Sequence, residues 1–200
     1  MIPADSEERD RRPVVVMLHG RGAGPENILE LVPRLDRPQF RYVAPAAPNR
    51  TWYPFSFMAE ISRNEPHLSS ALAQVRAVVE EAVAGGVPCE QVVLLGFSQG
   101  ACLASEFIMR HAGRYGGLVA FSGGAIGPAG TTWQPSGFDG TPMFFGCSDV
   151  DAHVPESRVR ETADVCARAG ARVTTQIYPG MGHLINDDEI AHARRLLDAI

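Results

Sequence analysis

The sequence predicts an α/β protein: one domain on a mainly parallel sheet of about six to seven strands, with helices on both faces. Three observations predict it. Short apolar, β-branched runs alternate along the chain with stretches of helical spacing. The clearest of those runs carry apolar residues on both faces, which suits strands covered by helices on both sides. Glycine or proline marks most junctions, and no internal repeat, low-complexity tract or linker interrupts the alternation.

Residues 1–12 are charged and form a solvated lead-in, which leaves 13–200 as the domain. Val14–Leu18 is the first strand, followed by the Gly-rich loop "HGRGAG". Pro25 opens a short helix that runs to about Leu35, because proline is favoured at the first helical position. Residues 40–44 form the second strand. Residues 45–66 hold several prolines and aromatics without a period, so a long loop is expected there. From His67 to Ala84, Leu68, Leu72, Val75, Val78, Val79 and Val83 recur at helical spacing, and Gly85-Gly86 stops the helix. Strands follow at 91–96, at Gly117–Phe121, at 142–146 and at Arg172–Tyr178. Helices are expected at 98–111, 155–169 and 186–200, the last with Asn186 as its cap.

Two hundred residues suffice for a sizeable core, and 45% hydrophobic with 20% charged residues is ordinary for a soluble globular chain. The net charge of -5 and the absence of a basic block argue against a nucleic-acid partner. All 18 cationic residues are arginine, which reads as coding bias. The N-terminus has no apolar core and does not read as a signal peptide, and no apolar run is long enough to span a bilayer. A cytoplasmic protein is expected. Cys89, Cys102, Cys147 and Cys166 have no metal-pair spacing and read as reduced, buried thiols. No metal and no cofactor are expected.

"LLGFSQGACLASEF" (94–107) carries the chemistry. A strand that turns sharply into a helix crowds the backbone at the turn. Glycine on either side, here Gly96 and Gly100, removes the side chains that would clash, and the serine between them projects at the C-terminal edge of the sheet. The plainer reading makes Ser98 an N-cap. Residues further along the chain favour a nucleophile. A serine hydroxyl needs a base, usually a histidine oriented by a carboxylate. The acidic loop "GCSDVDAHVP" (146–155) follows the fifth strand, and "YPGMGH" (178–183) follows the sixth and delivers His183. Both lie just past strand C-termini, where open parallel sheets place their sites. His153 lies beside the acids and is the rival base. His19 reads as a loop anchor. For the acid, counting forward from Gly146 favours Asp149 and counting back from Val154-Pro155 favours Asp151. Asp151 is preferred and Asp149 stays open. Two backbone N–H donors complete the site as an oxyanion hole: Gln99, after the nucleophile, and Arg21, in the loop after the first strand. That loop has no Gly-Lys-Ser/Thr ending and is not a phosphate loop.

"LHGRGAG", "GFSQGA", "FSGG", "SDVDAHVP" and "YPGMGH", in that order, resemble the phospholipase/carboxylesterase family of α/β-hydrolases, which includes the acyl-protein thioesterases. The resemblance runs from about Val14 to the C-terminus. It implies the α/β-hydrolase fold, Ser98 as nucleophile, His183 as base and the aspartate of a G-x-x-D-P-x-V-P pattern as acid. This chain departs there: the loop is two residues longer and Ala152 replaces the proline. It also departs at Arg21, where the thioesterases carry an aliphatic residue. The backbone role survives that change, while the side chain puts a positive charge at the mouth.

"APNRTWYPFSFM" (47–58) follows the second strand and belongs over the same edge as Ser98. Trp52, Tyr53 and Phe55 are therefore expected to wall a substrate pocket, with Trp133 of the 121–133 loop opposite. No segment reads as a large lid, which favours small or flexible esters over long triglycerides. The reading is a serine hydrolase for ester or thioester bonds of a small-molecule substrate. An amidase or lactone hydrolase on the same triad, and a non-catalytic binding module, are the alternatives. A homodimer is compatible with the sequence.

Overall fold

The computed structural model describes residues 11–200, so the lead-in expected over 1–12 lies outside the described residues except for its last two. Six parallel strands form the sheet: β1 (Val14–Leu18), β2 (Arg41–Val43), β3 (Val92–Phe97), β4 (Gly117–Phe121), β5 (Pro142–Ser148) and β6 (Arg172–Tyr178). Their order is β2-β1-β3-β4-β5-β6. The helices are α1 (Pro25–Leu29), α2 (Val32–Leu35), α3 (Ile61–Asn64), α4 (His67–Ala84), α5 (Gln99–Arg110), α6 (Glu156–Arg168) and α7 (Asp187–Leu197). Among the described residues no helix is long and apolar enough to cross a membrane.

The pleat sorts the core. Val14, Val16 and Leu18 of β1 join Leu94 and Leu118 under α4, α5 and α6, while Val15 and Met17 join Val93 and Val119 under α1, α2 and α7. All five residues of β1 are fully buried. At the far edge, β6 exposes Arg172, Thr174 and Gln176, as a strand with one unpaired side can.

The strand order places the site. From β1 the chain goes to one side for β2 and then returns to the other side of β1 for β3. Loops leaving β1 and β3 therefore diverge, and a crevice opens at the ends of these strands, where Leu18 pairs with Gly96.

The helix expected from Pro25 to Leu35 is broken after Leu29. Pro33 explains the break: inside one continuous helix its ring would strike the carbonyl of Leu29, four residues back. The second strand is shorter than expected, at three residues. The 45–66 stretch is not bare loop, since it holds a turn of 3-10 helix at Pro48–Arg50 and α3.

Helix α7 begins on the expected cap. Asn186 Oδ1 accepts from the Glu189 N–H at 2.8 Å, and Glu189 Oε2 accepts from the Asn186 N–H at 2.9 Å. Glu189 is wholly buried, and its other oxygen lies where a side chain on Gly146 would stand. Burial pushes this carboxyl up from 4.5 to about 7, against the pull of the Asn186 N–H. The folded chain thus holds this proton more tightly than the unfolded chain does. The stability it contributes is complete below pH 4.5 and is lost as pH rises through about 7. Urea unfolding of Glu189→Gln, which keeps the capping oxygen, is expected to lose this pH dependence and to exceed wild type by roughly 3 kcal/mol at pH 8.

Candidate active site

Ser98 sits between β3 and α5 with φ 56° and ψ -120°, in a conformation that ordinary side chains rarely adopt. Two glycines make this turn possible. A Cβ on Gly96 would stand 2.5 Å from the Gly100 backbone, and one on Gly100 would stand 2.1 Å from the Leu18 carbonyl oxygen. The Ser98 N–H is anchored on Phe121 O at 2.9 Å. As an N-cap, Ser98 makes no side-chain bond to its helix. Its Oγ lies instead 2.9 Å from His183 Nε2.

On its other side, His183 Nδ1 lies 2.7 Å from Asp151 Oδ2. The ring is flanked by Phe97, at 4.9 Å between centroids, and by the edge of His153, at 4.7 Å. The remaining oxygen of Asp151, Oδ1, accepts from the N–H groups of His153 (2.8 Å) and Val154 (2.9 Å). Burial opposes the charge on Asp151, but bonds from His183 and from the Val154 and His153 N–H groups outweigh it and hold the carboxyl below its ordinary value. An ionised carboxylate only accepts, so the proton shared with it belongs to Nδ1. That leaves the Nε2 lone pair facing Ser98 Oγ.

Asp149, the open alternative, is exposed and points elsewhere: its Oδ1 accepts from the Gly180 N–H at 2.8 Å. Beside it, Ser148 Oγ accepts from the N–H groups of Val150 (3.2 Å) and Gly182 (3.0 Å). These contacts tie the loop after β5 to the loop after β6, so Asp151 and His183 are held as one unit. Nothing in the sequence marked Ser148 for this task.

Arg21, Ser98, Gln99 and His183 line one cavity of about 490 Å³. Among the described residues, the backbone N–H groups of Arg21 and Gln99 have no protein acceptor. That of Gln99 also begins α5, where the aligned peptide dipoles favour negative charge. Tyr53 and Phe55 line the cavity too. Trp52 does not, which corrects the expectation made for it. It is 2% exposed, its Nε1 donates to His19 O at 2.9 Å, and its ring packs on the His19 imidazole. His19 is itself buried, and its Nε2 accepts from the Ala47 N–H at 3.1 Å, so this histidine and Trp52 join the ends of β1 and β2. The opposite wall is His153 and Val154, not Trp133, whose indole lies over the Arg158 guanidinium and donates to Ile126 O.

Side chains grip the 52–56 segment by its backbone. Gln99 Oε1 accepts from the Trp52 N–H (3.0 Å), and Gln99 Nε2 donates to Tyr53 O (2.7 Å). Asn64 Oδ1 accepts from the Phe55 N–H (2.9 Å), and Asn64 Nδ2 donates to Ser56 O (3.0 Å). Arg21 Nη1 and Nη2 donate to Pro54 O (2.8 Å) and Phe55 O (2.7 Å). The Arg21 charge is thus engaged with carbonyls.

The turn is intolerant of added volume. Gly100→Ala is expected to lower stability by roughly 3 kcal/mol, because the Leu18 carbonyl that its Cβ meets is backbone and cannot swing aside. The denaturant midpoint measures the loss, and an unchanged midpoint would contradict the packing described.

A family model described as Phospholipase/Carboxylesterase matches residues 4–200. The chain is 27% identical over 201 residues to a probable carboxylesterase SOBER1-like of Arabidopsis thaliana, covering 90% of this chain and 76% of that one. It is 29% identical to an acyl-protein thioesterase 1 of Eremothecium gossypii, covering 76% and 68%. The crystal structure of a phospholipase/carboxylesterase from Dyadobacter fermentans superposes with a TM-score of 0.89 at 42% identity, covering 94% of this chain and 91% of that one.

Proposed function

The chain belongs to the phospholipase/carboxylesterase family of hydrolases, and from that premise we propose that it cleaves ester or thioester bonds of small-molecule substrates through a Ser98-His183-Asp151 triad. One observation carries this reading: a single imidazole stands 2.9 Å from Ser98 Oγ and 2.7 Å from the Asp151 carboxylate. Residues 13–200 form the catalytic domain.

His183 Nε2 takes the Ser98 proton as Oγ attacks the carbonyl carbon. Negative charge develops on the carbonyl oxygen, which the Arg21 and Gln99 N–H groups receive. Asp151 stabilises the imidazolium that forms and holds the ring in its tautomer. The tetrahedral intermediate collapses, the bond to the leaving alcohol or thiol breaks, and that group departs with the proton from His183. Water then gives its proton to Nε2 and attacks the acyl-Ser98 ester. The acid leaves, and Ser98 regains its proton. The steps balance without a metal or cofactor.

A fluorophosphonate probe is expected to label Ser98 in the folded protein and to leave Ser98→Ala unlabelled. With p-nitrophenyl butyrate, Asp151→Asn should lower kcat about 10³-fold or more, by favouring the wrong tautomer. Asp149→Asn should stay within about threefold of wild type, since its carboxylate serves a loop contact. The opposite ranking of the two aspartates would sink the assignment.

A further inference from the structure

Two cavities meet at Arg21. The catalytic one, about 490 Å³, is walled by Tyr53, Phe55 and Phe57. The second, about 620 Å³, is lined by Ile28, Leu31, Phe97 and Ile185, with Asn27 and Arg50 beside them. Gly20, Arg21, Ala23 and Phe97 line both. From this shared boundary the Arg21 side chain crosses to the aromatic wall and holds the adjacent carbonyls of Pro54 and Phe55 with two separate nitrogens. The guanidinium carbon lies 5.9 Å from the Tyr53 ring centroid. The far anchor cannot retreat, because Gln99 and Asn64 grip the same segment on either side of it.

Resting on the serine-hydrolase reading, we infer that the Arg21 side chain determines specificity: it is a bar between the catalytic cavity and the neighbouring apolar groove, and it confines the enzyme to compact acyl groups. A guanidinium forks onto two acceptors in one plane, which makes the bar stiff as well as long. An ammonium is a single point and cannot hold both carbonyls in that geometry. An apolar side chain of similar length holds neither. Either change frees the bar, and the acyl chain can extend past residue 21 over Ile28 and Leu31.

The test compares wild type, Arg21→Met and Arg21→Lys on p-nitrophenyl butyrate and octanoate, with kcat and KM measured separately. Wild type is expected to prefer butyrate. Both variants are expected to raise the octanoate-to-butyrate ratio of kcat/KM about tenfold or more, chiefly through a lower KM for octanoate. A structural loss of the loop would lower kcat on both esters and leave the ratio alone. Should either variant hydrolyse too slowly to follow, the rate ratio of Ser98 labelling by octyl and methyl fluorophosphonates reads the same selectivity. An unchanged ratio in both variants with Ser98 still labelled overturns the proposal, as does a wild type that prefers octanoate. Failure of wild-type Ser98 to label would instead contradict the serine-hydrolase reading beneath it.

Discussion

The site depends on one close approach of backbone to backbone. Gly100, in the first turn of α5, lies so near the end of β1 that even a methyl group would meet the carbonyls of Leu18 and His19. That contact lets β3 turn into α5 within a single residue, and Ser98 takes up the turn at φ 56°. Such a conformation costs about 1–3 kcal/mol and persists only where its surroundings over-determine it. Here they do, through the bond from the Ser98 N–H to Phe121 O and through a following helix that is buried from Gln99 to Met109. The same contact brings the 19–24 loop against the start of α5. Arg21 and Gln99 therefore line one cavity.

A second feature grows out of the first. Two residues that line the cavity beside Ser98 also reach outward with their side chains, Gln99 to residues 52 and 53 and Arg21 to residues 54 and 55. The aromatic wall is thus tied to the residues beside Ser98 as well as to Asn64 of its own stretch. On the other side of the crevice, Ser148 and Asp149 accept backbone N–H groups from the loop that carries His183. Both walls are held by short bonds from side chains close to Ser98 and His183.

Where local chemistry decides, the sequence was a good guide. Glycines flanking Ser98 mark the strand-to-helix turn, apolar runs mark the strands, and the helix cap at Asn186 stands where it was expected. Where long-range contacts decide, it was not. Asp151, the aspartate preferred from the sequence, is the one beside His183, but counting residues along the loop could not close the choice against Asp149, which reaches the Gly180 N–H instead. Trp52 and Tyr53 are neighbours, yet one turns to the His19 carbonyl and the other to the cavity. Trp133 is drawn away by the Arg158 guanidinium. Asn64, wholly buried and holding two backbone groups of the aromatic wall, carried no local signal at all. The break after Leu29 was legible, since Pro33 alone forbids the continuous helix.

The most direct test of the account is to trap the covalent intermediate. Protein mixed with p-nitrophenyl butyrate, quenched in acid during turnover and digested for peptide mass spectrometry, should carry a butyryl group on Ser98, with more of it when deacylation is slowed at low pH. A butyryl group on another side chain, or steady turnover with Ser98 never acylated under any quench, would contradict the role given to Ser98.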